Sequence, residues 1–205
     1  MASEVLRIHL ASGNAHKAAE FQRLADAGTA ADGRAIRILP ASLMPAVVED
    51  TGTFAGNARK KAVALQAGLP ADAWVLADDS GVCVEALGGA PGVESAYFAG
   101  PQHDSAANLA KLVEVMRDQP ADRRAAEFVC VLVLRGPGGF ERVAEGRCRG
   151  ILRREPAGGA GFGYDPLFVP EGFERTYAQL AEEEKNRISH RGRAWLTLAD
   201  WLRAV

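Results

Sequence analysis

The hydrophobic positions of the chain form runs with strand periodicity, separated by segments with helical periodicity. Strands are predicted at Val5–Ala11, Ile36–Leu39, Trp74–Ala77, Phe128–Leu134 and Phe140–Cys148. The run Phe128–Leu134 is the most apolar, which predicts a central strand, and Gly136–Gly139 joins it to the next strand as a hairpin. Residues 47–50, Val-Val-Glu-Asp, are a further candidate for an edge segment.

Apolar residues at helical spacing lie between these strands and predict helices. The predicted helices are one with an apolar stripe at Ala18, Phe21, Leu24 and Ala25, one capped by Thr53 that runs to about Ala67, one over Asp104–Met116, one beginning at Thr176, and a last one that buries Trp195, Leu198, Trp201 or Leu202, and Val205. No internal repeat or linker interrupts the pattern. Residues 1–205 are therefore expected to form a single domain of mixed helices and strands.

The stretch Val75–Gly81, V-L-A-D-D-S-G, places two acids at the end of a buried strand. Successive side chains of a strand point to opposite faces, so Asp78 and Asp79 are expected to face different ways. One of them can face a cleft while the other braces a turn at Ser80 and Gly81. The same residues are typical of an Asx-type turn that merely closes a strand, and this stretch alone does not decide between the two.

The turn Ser12-Gly13-Asn14 joins the first strand to the first helix. A strand, a small polar turn and a helix N-terminus aim backbone N–H groups at a ligand, and this end of a helix favours anions. From this turn, Ser12, Asn14 and Lys17 can all reach a phosphate. The alternative is a plain helix cap beside a solvated lysine.

Composition and charge narrow the classes of partner. The chain has 205 residues, of which 48% are hydrophobic and 24% charged, as is ordinary for a soluble globular protein. The formal net charge of -2 gives no electrostatic reason to expect a nucleic-acid or membrane partner. Cys83, Cys130 and Cys148 lack C-x-x-C spacing and are expected to be reduced, and neither a signal peptide nor an apolar run of membrane-spanning length is visible. The expected location is the cytoplasm.

Several common chemistries are excluded by their missing motifs. Gly159, Gly161 and Gly163 have G-x-G spacing, but Tyr164-Asp165-Pro166 stands where a dinucleotide-binding helix should begin. A P-loop, a G-x-S-x-G elbow and a zinc-type histidine pair are also absent from the sequence. What remains is a set of acids suited to Mg²⁺, cationic and small polar residues suited to phosphates, and an aromatic loop. Together these indicate a nucleotide. The acids are Glu49, Asp50, Asp78 and Asp79.

Six motifs follow one another along the chain and belong together. They are S-G-N-A-H-K at Ser12–Lys17, T-F-A-G-N-A-R-K-K-A at Thr53–Ala62, L-A-D-D-S-G at Leu76–Gly81, L-G-G-A-P-G-V at Leu87–Val93, F-G-Y-D-P-L-F at Phe162–Phe168 and E-K-N-R-I-S-H-R at Glu184–Arg191. In this order they resemble the family of the inosine triphosphate pyrophosphatases. The resemblance implies an α/β fold with a long twisted mixed sheet flanked by helices, and two lobes with a nucleotide-binding cleft between them. It also implies Mg²⁺-dependent hydrolysis of dITP, ITP and XTP to the monophosphate and pyrophosphate, and usually a homodimer.

The resemblance also assigns roles to individual residues. Glu49 and Asp79 would hold the metal, and Asp79 would accept the proton of the attacking water. The triphosphate would be held by Ser12, Gly13, Asn14, Ala15, His16, Lys17 and Lys61. The base would be bordered by Phe162, Gly163, Tyr164 and Asp165, and its edge would be contacted by Lys185, His190 and Arg191. Ser80 would touch the substrate. By strand alternation, and not by the resemblance, Asp78 is expected to brace the turn or to support the site indirectly.

The chain departs from the family pattern at two points. The family usually has one more residue before T-F than the E-D-T-G-T-F of this chain, so that either Glu49 or Asp50 can fill the metal position, with Glu49 favoured. The family usually carries an arginine after Ser-Ala, where this chain has Tyr97. Any contact of that arginine is then lost or supplied elsewhere.

Donor chemistry suggests how the base is chosen. Lys185 and Arg191 only donate hydrogen bonds, and a 6-oxo purine accepts them, whereas the 6-amino group of adenine does not. Guanine shares the 6-oxo group and would have to be rejected through its 2-amino group. Two alternatives stay open: a Maf-like pyrophosphatase for modified pyrimidine nucleotides, and a nucleotide-sensing module that binds ITP without hydrolysis.

Overall fold

A computed structural model describes residues 5–28 and 35–202 of the chain. Its strands form one mixed six-stranded sheet in the order β2-β1-β3-β4-β5-β6. The strands are β1 (Leu6–Leu10), β2 (Ile36–Pro40), β3 (Trp74–Val84), β4 (Ala125–Arg135), β5 (Glu141–Leu152) and β6 (Phe168–Pro170). Strand β1 pairs in parallel with β2 and β3, whereas β5 and β6 are antiparallel. The fold is therefore α/β with a mixed sheet, as the resemblance implies.

Five α-helices accompany the sheet in the described residues, and some of them begin at a side-chain cap. They are α1 (Ala15–Gly28), α2 (Phe54–Gln66), α3 (Ser105–Val115), α4 (Glu182–Ile188) and α5 (His190–Leu202). The Thr53 hydroxyl accepts from the backbone N–H of Gly56 at the start of α2, and Asp104 caps α3 in the same way through Ala106 and Ala107. In the described part of the chain, no helix is long and apolar enough to cross a membrane.

The chain divides into two compact units. The first contains the residues up to Asp79 together with Cys130–Gly146 and the residues from Arg191 onward. The second contains Ser80–Val129 and Arg147–His190. That residues 1–205 act as a single domain stays a prediction.

The core of the first unit uses both faces of β3. Leu76 belongs to a buried cluster with residues of α1 and α5, among them Phe21 and Trp195. Its neighbours Val75 and Ala77 belong to a different cluster with Ala58, Ala62 and Leu65 of α2. Strand alternation therefore directs even-numbered residues of this stretch towards α1 and α5, and odd-numbered residues towards α2.

The core of the second unit is rich in aromatic residues. Leu112 of α3 and Met116, the residue that follows this helix, lie in one buried cluster with Phe128, Phe168 and Tyr177. The rings of Phe128 and Phe168 meet edge to face, with their centroids 4.9 Å apart.

Most predicted elements are confirmed, and three are wrong. Residues 47–50 form no strand, since Val48 is exposed and its carbonyl accepts from the Lys60 ammonium rather than from a neighbouring strand. Asp78–Gly81 is not a turn, because β3 continues through it to Val84. Thr176 starts only a short 3₁₀ turn before α4. Strand β6 was not predicted, because it has only 3 residues. Val205 and the opening residues 1–4, which bear on the last predicted helix and the signal-peptide argument, lie outside the described residues.

Gly81 explains why the strand continues past the two acids. A Cβ at this position would lie 2.2 Å from the Gly92 carbonyl oxygen and 2.4 Å from Ser95 Oγ. The glycine therefore permits a close backbone approach inside a strand, and does not mark a turn. The Ser95 hydroxyl secures this approach by accepting from the N–H of Val82 and donating to the Gly92 carbonyl.

Candidate active site

The two acids of β3 lie on opposite faces of the strand, as alternation predicts. Asp78 is 1% exposed and continues the face of Leu76, whereas Asp79 is 6% exposed and continues the face of Ala77. Each carboxylate has its own lysine. The Lys17 ammonium lies 2.8 Å from Asp78 Oδ2, and the Lys61 ammonium lies 2.7 Å from Asp79 Oδ1.

Asp78 is the centre of a buried ion-pair network in the first unit. Arg191 Nε lies 3.7 Å from Asp78 Oδ2, and Arg191 Nη1 donates to Glu20 Oε2 at 3.2 Å. Burial by itself would raise the pKa of Asp78, but the charges of Lys17 and Arg191 outweigh it and hold that pKa well below its usual value. Asp78 is therefore ionised at neutral pH and holds two cations, but it braces no turn, because β3 continues past it.

Asp79 lies in a second group of polar residues, beside α2. Its Oδ1 accepts from Lys61, which also donates to Glu49 Oε2 at 3.1 Å. Its Oδ2 lies 3.4 Å from Asn57 Nδ2. One ammonium thus bridges two carboxylates that come from distant parts of the sequence.

The pKa values of Asp79 and Lys61 are both raised. Burial raises the pKa of Asp79 to about 6, since the lowering effect of Lys61 is smaller and the nearby Glu49 adds to the rise. Burial disfavours the charged form of Lys61, yet Asp79 and Asp78 together raise its pKa above the usual value. A carboxyl group with a pKa near neutrality is suited to accept a proton during a reaction.

The structure separates the two candidate metal acids, Glu49 and Asp50. Glu49 faces Lys61 and Asp79, whereas Asp50 pairs with Lys60 at an exposed position. The carboxylates of Glu49 and Asp79, both held by one cation, form a hard oxygen donor set that fits a divalent cation such as Mg²⁺. In residues 5–28 and 35–202, no group of three or more His, Cys, Asp or Glu side chains is placed to hold a metal ion.

The turn between β1 and α1 is arranged as a helix cap. Asn14 Oδ1 accepts from the backbone N–H groups of His16 at 2.9 Å and Lys17 at 3.2 Å, and the Ser12 hydroxyl accepts from the N–H of Asn14. The lysine beside this cap is not a freely solvated one, because it is half-buried and pairs with Asp78. Gly13 and Ala15 are exposed in the same turn. The side chains of this turn are thus brought to one helix N-terminus, with a cation beside it.

In the second unit, Asp165 organises the glycine-rich aromatic loop. Its Oδ2 accepts from the Lys185 ammonium at 2.7 Å and from the backbone N–H of Phe162 at 2.8 Å. The Lys185 ammonium lies 5.4 Å from the Phe162 ring centroid, and Gly163 takes a positive φ of 62°. Lys185 therefore pairs with Asp165, 20 residues before it in the chain, and not with Glu182, the acid three residues before it on α4.

Other predicted residues of the second unit are buried or half-buried. His190 stacks on Phe128 with the ring centroids 4.7 Å apart and continues onto Tyr177. Tyr164 donates from its hydroxyl to the carbonyl of Ser95 at 2.8 Å. Ser80 is half-buried in β3, directly after Asp79.

Tyr97, at the position where the family usually has arginine, lies at the end of a 3₁₀ turn (Gly92–Tyr97). Its ring meets His103 edge-on, with the centroids 5.8 Å apart. An aromatic contact within the second unit therefore stands where an arginine was expected.

Two buried residues of the site were not predicted from the sequence, namely Asn57 and Glu20. Asn57 lies four residues before Lys61 on α2, and this spacing puts both on one helix face. A polar residue beside the buried Ala58 was the available signal. Glu20 carried no such signal, because its partner Arg191 is distant in sequence.

Comparison with known proteins agrees with these motifs. The sequence profile of the Ham1 family matches residues 8–201. A dITP/XTP pyrophosphatase of Opitutus terrae is 61% identical over 199 residues, which cover 96% of this chain and 98% of that protein. A dITP/XTP pyrophosphatase of Streptomyces coelicolor is 47% identical over 205 residues, which cover 97% of this chain and 98% of that protein.

Solved structures agree with the fold. The Staphylococcus aureus Ham1 protein superposes with a TM-score of 0.81 and 34% identity, covering 97% of this chain and 98% of its own. A HAM1 protein from Coxiella burnetii gives a TM-score of 0.82 and 37% identity, covering 98% of this chain and 100% of its own.

Proposed function

The chain belongs to the Ham1 family, and from this premise we propose that it hydrolyses the non-standard purine nucleoside triphosphates dITP, ITP and XTP to the monophosphate and pyrophosphate. The family resemblance predicted from the motifs is thereby confirmed. The biological consequence is removal of deaminated purines from the nucleotide pool.

One observation in the structure carries the chemical part of the proposal. The Asp79 carboxylate is buried, has a pKa raised by burial to about 6, and shares the Lys61 ammonium with Glu49. A base of this kind takes a proton from the attacking water, and general-base catalysis typically contributes about 10²–10⁴-fold to a rate. Lys61 and Lys17 bring positive charge, which the triphosphate and the departing pyrophosphate require.

Glu49 and Asp79 would hold Mg²⁺, which when bound supplies positive charge against the triphosphate. Mg²⁺ usually takes one or two carboxylates and completes its shell with waters and substrate phosphates. The two carboxylates of Glu49 and Asp79 suit that pattern. Asp50 is the less suitable ligand because its exposed carboxylate pairs with Lys60.

The remaining assignments follow the family motifs. The triphosphate is assigned to the turn Ser12–Lys17 and to Lys61, with Ser80 as a further contact. The base is assigned to the loop Phe162–Asp165, with Lys185, His190 and Arg191 at its edge. Donors at this edge favour a 6-oxo purine, because adenine would leave a buried donor unpaired at a cost of about 1–3 kcal/mol.

We propose further that the protein is a homodimer and acts in the cytoplasm. The first rests on the family resemblance. The second rests on the cytoplasmic nucleotide pool as the source of substrate, and on three cysteines, Cys83, Cys130 and Cys148, that are all free thiols.

A panel of nucleoside triphosphates with product analysis tests the function. We expect Mg²⁺-dependent release of pyrophosphate from ITP, dITP and XTP, with ATP and GTP much slower. Release of inorganic phosphate alone would contradict the mechanism, faster hydrolysis of dUTP or dTTP would favour a Maf-like enzyme, and tight ITP binding without turnover would favour a nucleotide sensor.

A further inference from the structure

Asn57 is a buried amide at the first turns of α2, with a partner at each end of its side chain. It is 0% exposed. Its Nδ2 lies 3.4 Å from Asp79 Oδ2, and its Oδ1 accepts from the Thr51 hydroxyl at 2.8 Å and from the Thr51 backbone N–H at 3.2 Å. Because buried polar groups need partners, these contacts account for why a polar residue is accommodated at a fully buried position of the helix.

The partners of Asn57 determine which way its amide points. The backbone N–H of Thr51 can only donate, so the atom that faces it must be the amide oxygen. The amide NH₂ must then face Asp79. The Thr51 hydroxyl has an alternative acceptor, the Thr53 carbonyl at 3.0 Å, but the backbone N–H requires the same orientation of Asn57 in either case.

Gly56 allows Thr51 to come close enough for this contact. A Cβ at residue 56 would lie 2.3 Å from Thr51 Oγ1 and 2.7 Å from Thr51 Cβ. Any side chain there would push Thr51 away from Asn57. The sequence T-G-T-F-A-G-N, residues 51–57, thus contains the residues that orient the Asn57 amide.

We infer that Asn57, oriented by Thr51, is a positioning residue that holds the Asp79 carboxylate for its reaction. Lys61 contacts one oxygen of Asp79 and Asn57 contacts the other. Asn57 and Lys61 are four residues apart on α2, so the helix holds the carboxylate at both of its oxygens. The inference rests on the role proposed for Asp79.

If Asn57 had a purely structural role, it would only connect the segment at Thr51 to helix α2. Thr51→Val removes the hydroxyl but keeps the branched shape, and Thr51→Ser restores the hydroxyl. Thr53→Ala is the matched control, because it removes the helix cap to Gly56 and only a long 3.4 Å contact with the Thr51 hydroxyl, and it leaves the side-chain contacts of Asn57 in place. Asn57→Leu removes the contacts of the Asn57 amide with Thr51 and with Asp79. If Asn57→Leu does not fold, Thr51→Val still decides the test.

We expect Asn57→Leu to lower kcat by about 10–100-fold, the range typical of residues that orient a ligand or base. Thr51→Val should lower kcat in the same direction with KM for ITP unchanged, and Thr51→Ser should recover the wild-type rate. The Mg²⁺ affinity of the nucleotide-free protein is measured by calorimetry with the metal alone. It should be weaker in Asn57→Leu and Thr51→Val than in the wild type, and Thr51→Ser should recover it. Thr53→Ala should lower only the melting temperature.

Equal kcat and equal Mg²⁺ affinity in Thr51→Val and Thr53→Ala would overturn the inference and leave Asn57 a structural residue. A failure of the proposed function gives a different result. In that case the wild-type protein releases no pyrophosphate from any nucleotide in the panel, while the order of Mg²⁺ affinities among the variants still decides whether Asn57 positions Asp79.

Discussion

Asp78 and Asp79 are consecutive residues of one strand, yet their carboxylates are separated into two ion-pair groups by the strand itself. Asp78 faces Lys17 and Arg191, and Asp79 faces Lys61. The pKa of Asp78 is lowered and that of Asp79 is raised to about 6. Opposite shifts in neighbouring acids assign different tasks to them: a permanent anion that holds cations, and a group that can exchange a proton.

Asp78→Asn should destabilise the protein. The change keeps the shape of the side chain but leaves Lys17 and Arg191 without their shared anion in a buried place. Removing one partner of a buried ion pair typically costs about 3–5 kcal/mol in the free energy of unfolding. Urea denaturation measures this loss, and Asp50→Asn is the control, since Asp50 is exposed and its change should leave the midpoint where it is. Equal midpoints for the two variants would refute the stabilising role of Asp78 in its ion-pair network.

Asp79→Asn should remove turnover while nucleotide binding largely survives. The amide cannot accept the proton of the attacking water, so kcat is expected to fall by about 10²–10⁴-fold. Pyrophosphate release from ITP measures the rate, and calorimetric titration with ITP measures the binding. A variant with near-normal kcat would take Asp79 out of its proposed role.

The pH dependence of stability gives an independent check on Asp79. Its pKa is about 6 in the folded protein, above the ordinary value of 3.8, so the unfolded chain loses this proton first as pH rises. In buffer without divalent metal, the free energy of unfolding of the wild type should therefore decrease relative to Asp79→Asn as pH rises through that interval. A difference that stays constant from pH 3.8 to about 6 would contradict the raised pKa.

Much of this arrangement could be predicted from the sequence, because alternation in a strand depends only on residue order. The opposite facing of Asp78 and Asp79 follows from that rule. The continuation of β3 past Asp79 did not follow, because Gly81 has the same local signature in a turn as in a strand. Only its close approach to Gly92, a residue from another segment, distinguishes the two.

Contacts between residues that are distant in sequence were the other feature that could not be predicted. Asn57 lies inside a motif that was recognised, but its contact with Thr51 and Asp79 depends on how α2 packs on β3. The pairing of Lys185 with Asp165 was likewise not predicted, since the local alternative Glu182 is nearer in the chain. Periodicity gives the face on which a residue lies, and tertiary packing gives its partner.

Glu49→Gln and Asp50→Asn should separate the two acids that the sequence left as alternatives. Glu49 shares a lysine with Asp79, so its loss should raise the Mg²⁺ concentration needed for half-maximal activity by at least about tenfold, the lower end of what supporting residues of a metal site contribute. Asp50→Asn should leave that concentration unchanged, because its partner is the exposed Lys60. Activity measured across a Mg²⁺ series decides, and the reverse order would make Asp50 the ligand.

Lys185→Met should reduce discrimination between ITP and ATP. The Lys185 ammonium is buried against Asp165 and over the Phe162 ring, and it only donates hydrogen bonds. Adenine would leave such a donor unpaired at about 1–3 kcal/mol, so its removal should lower the ratio of kcat/KM for ITP over ATP by about tenfold or more. Arg175→Met is a suitable control, because Arg175 pairs with Glu184 at an exposed position. If Lys185→Met reduced both kcat/KM values equally, Lys185 would support the loop through Asp165 without selecting the base.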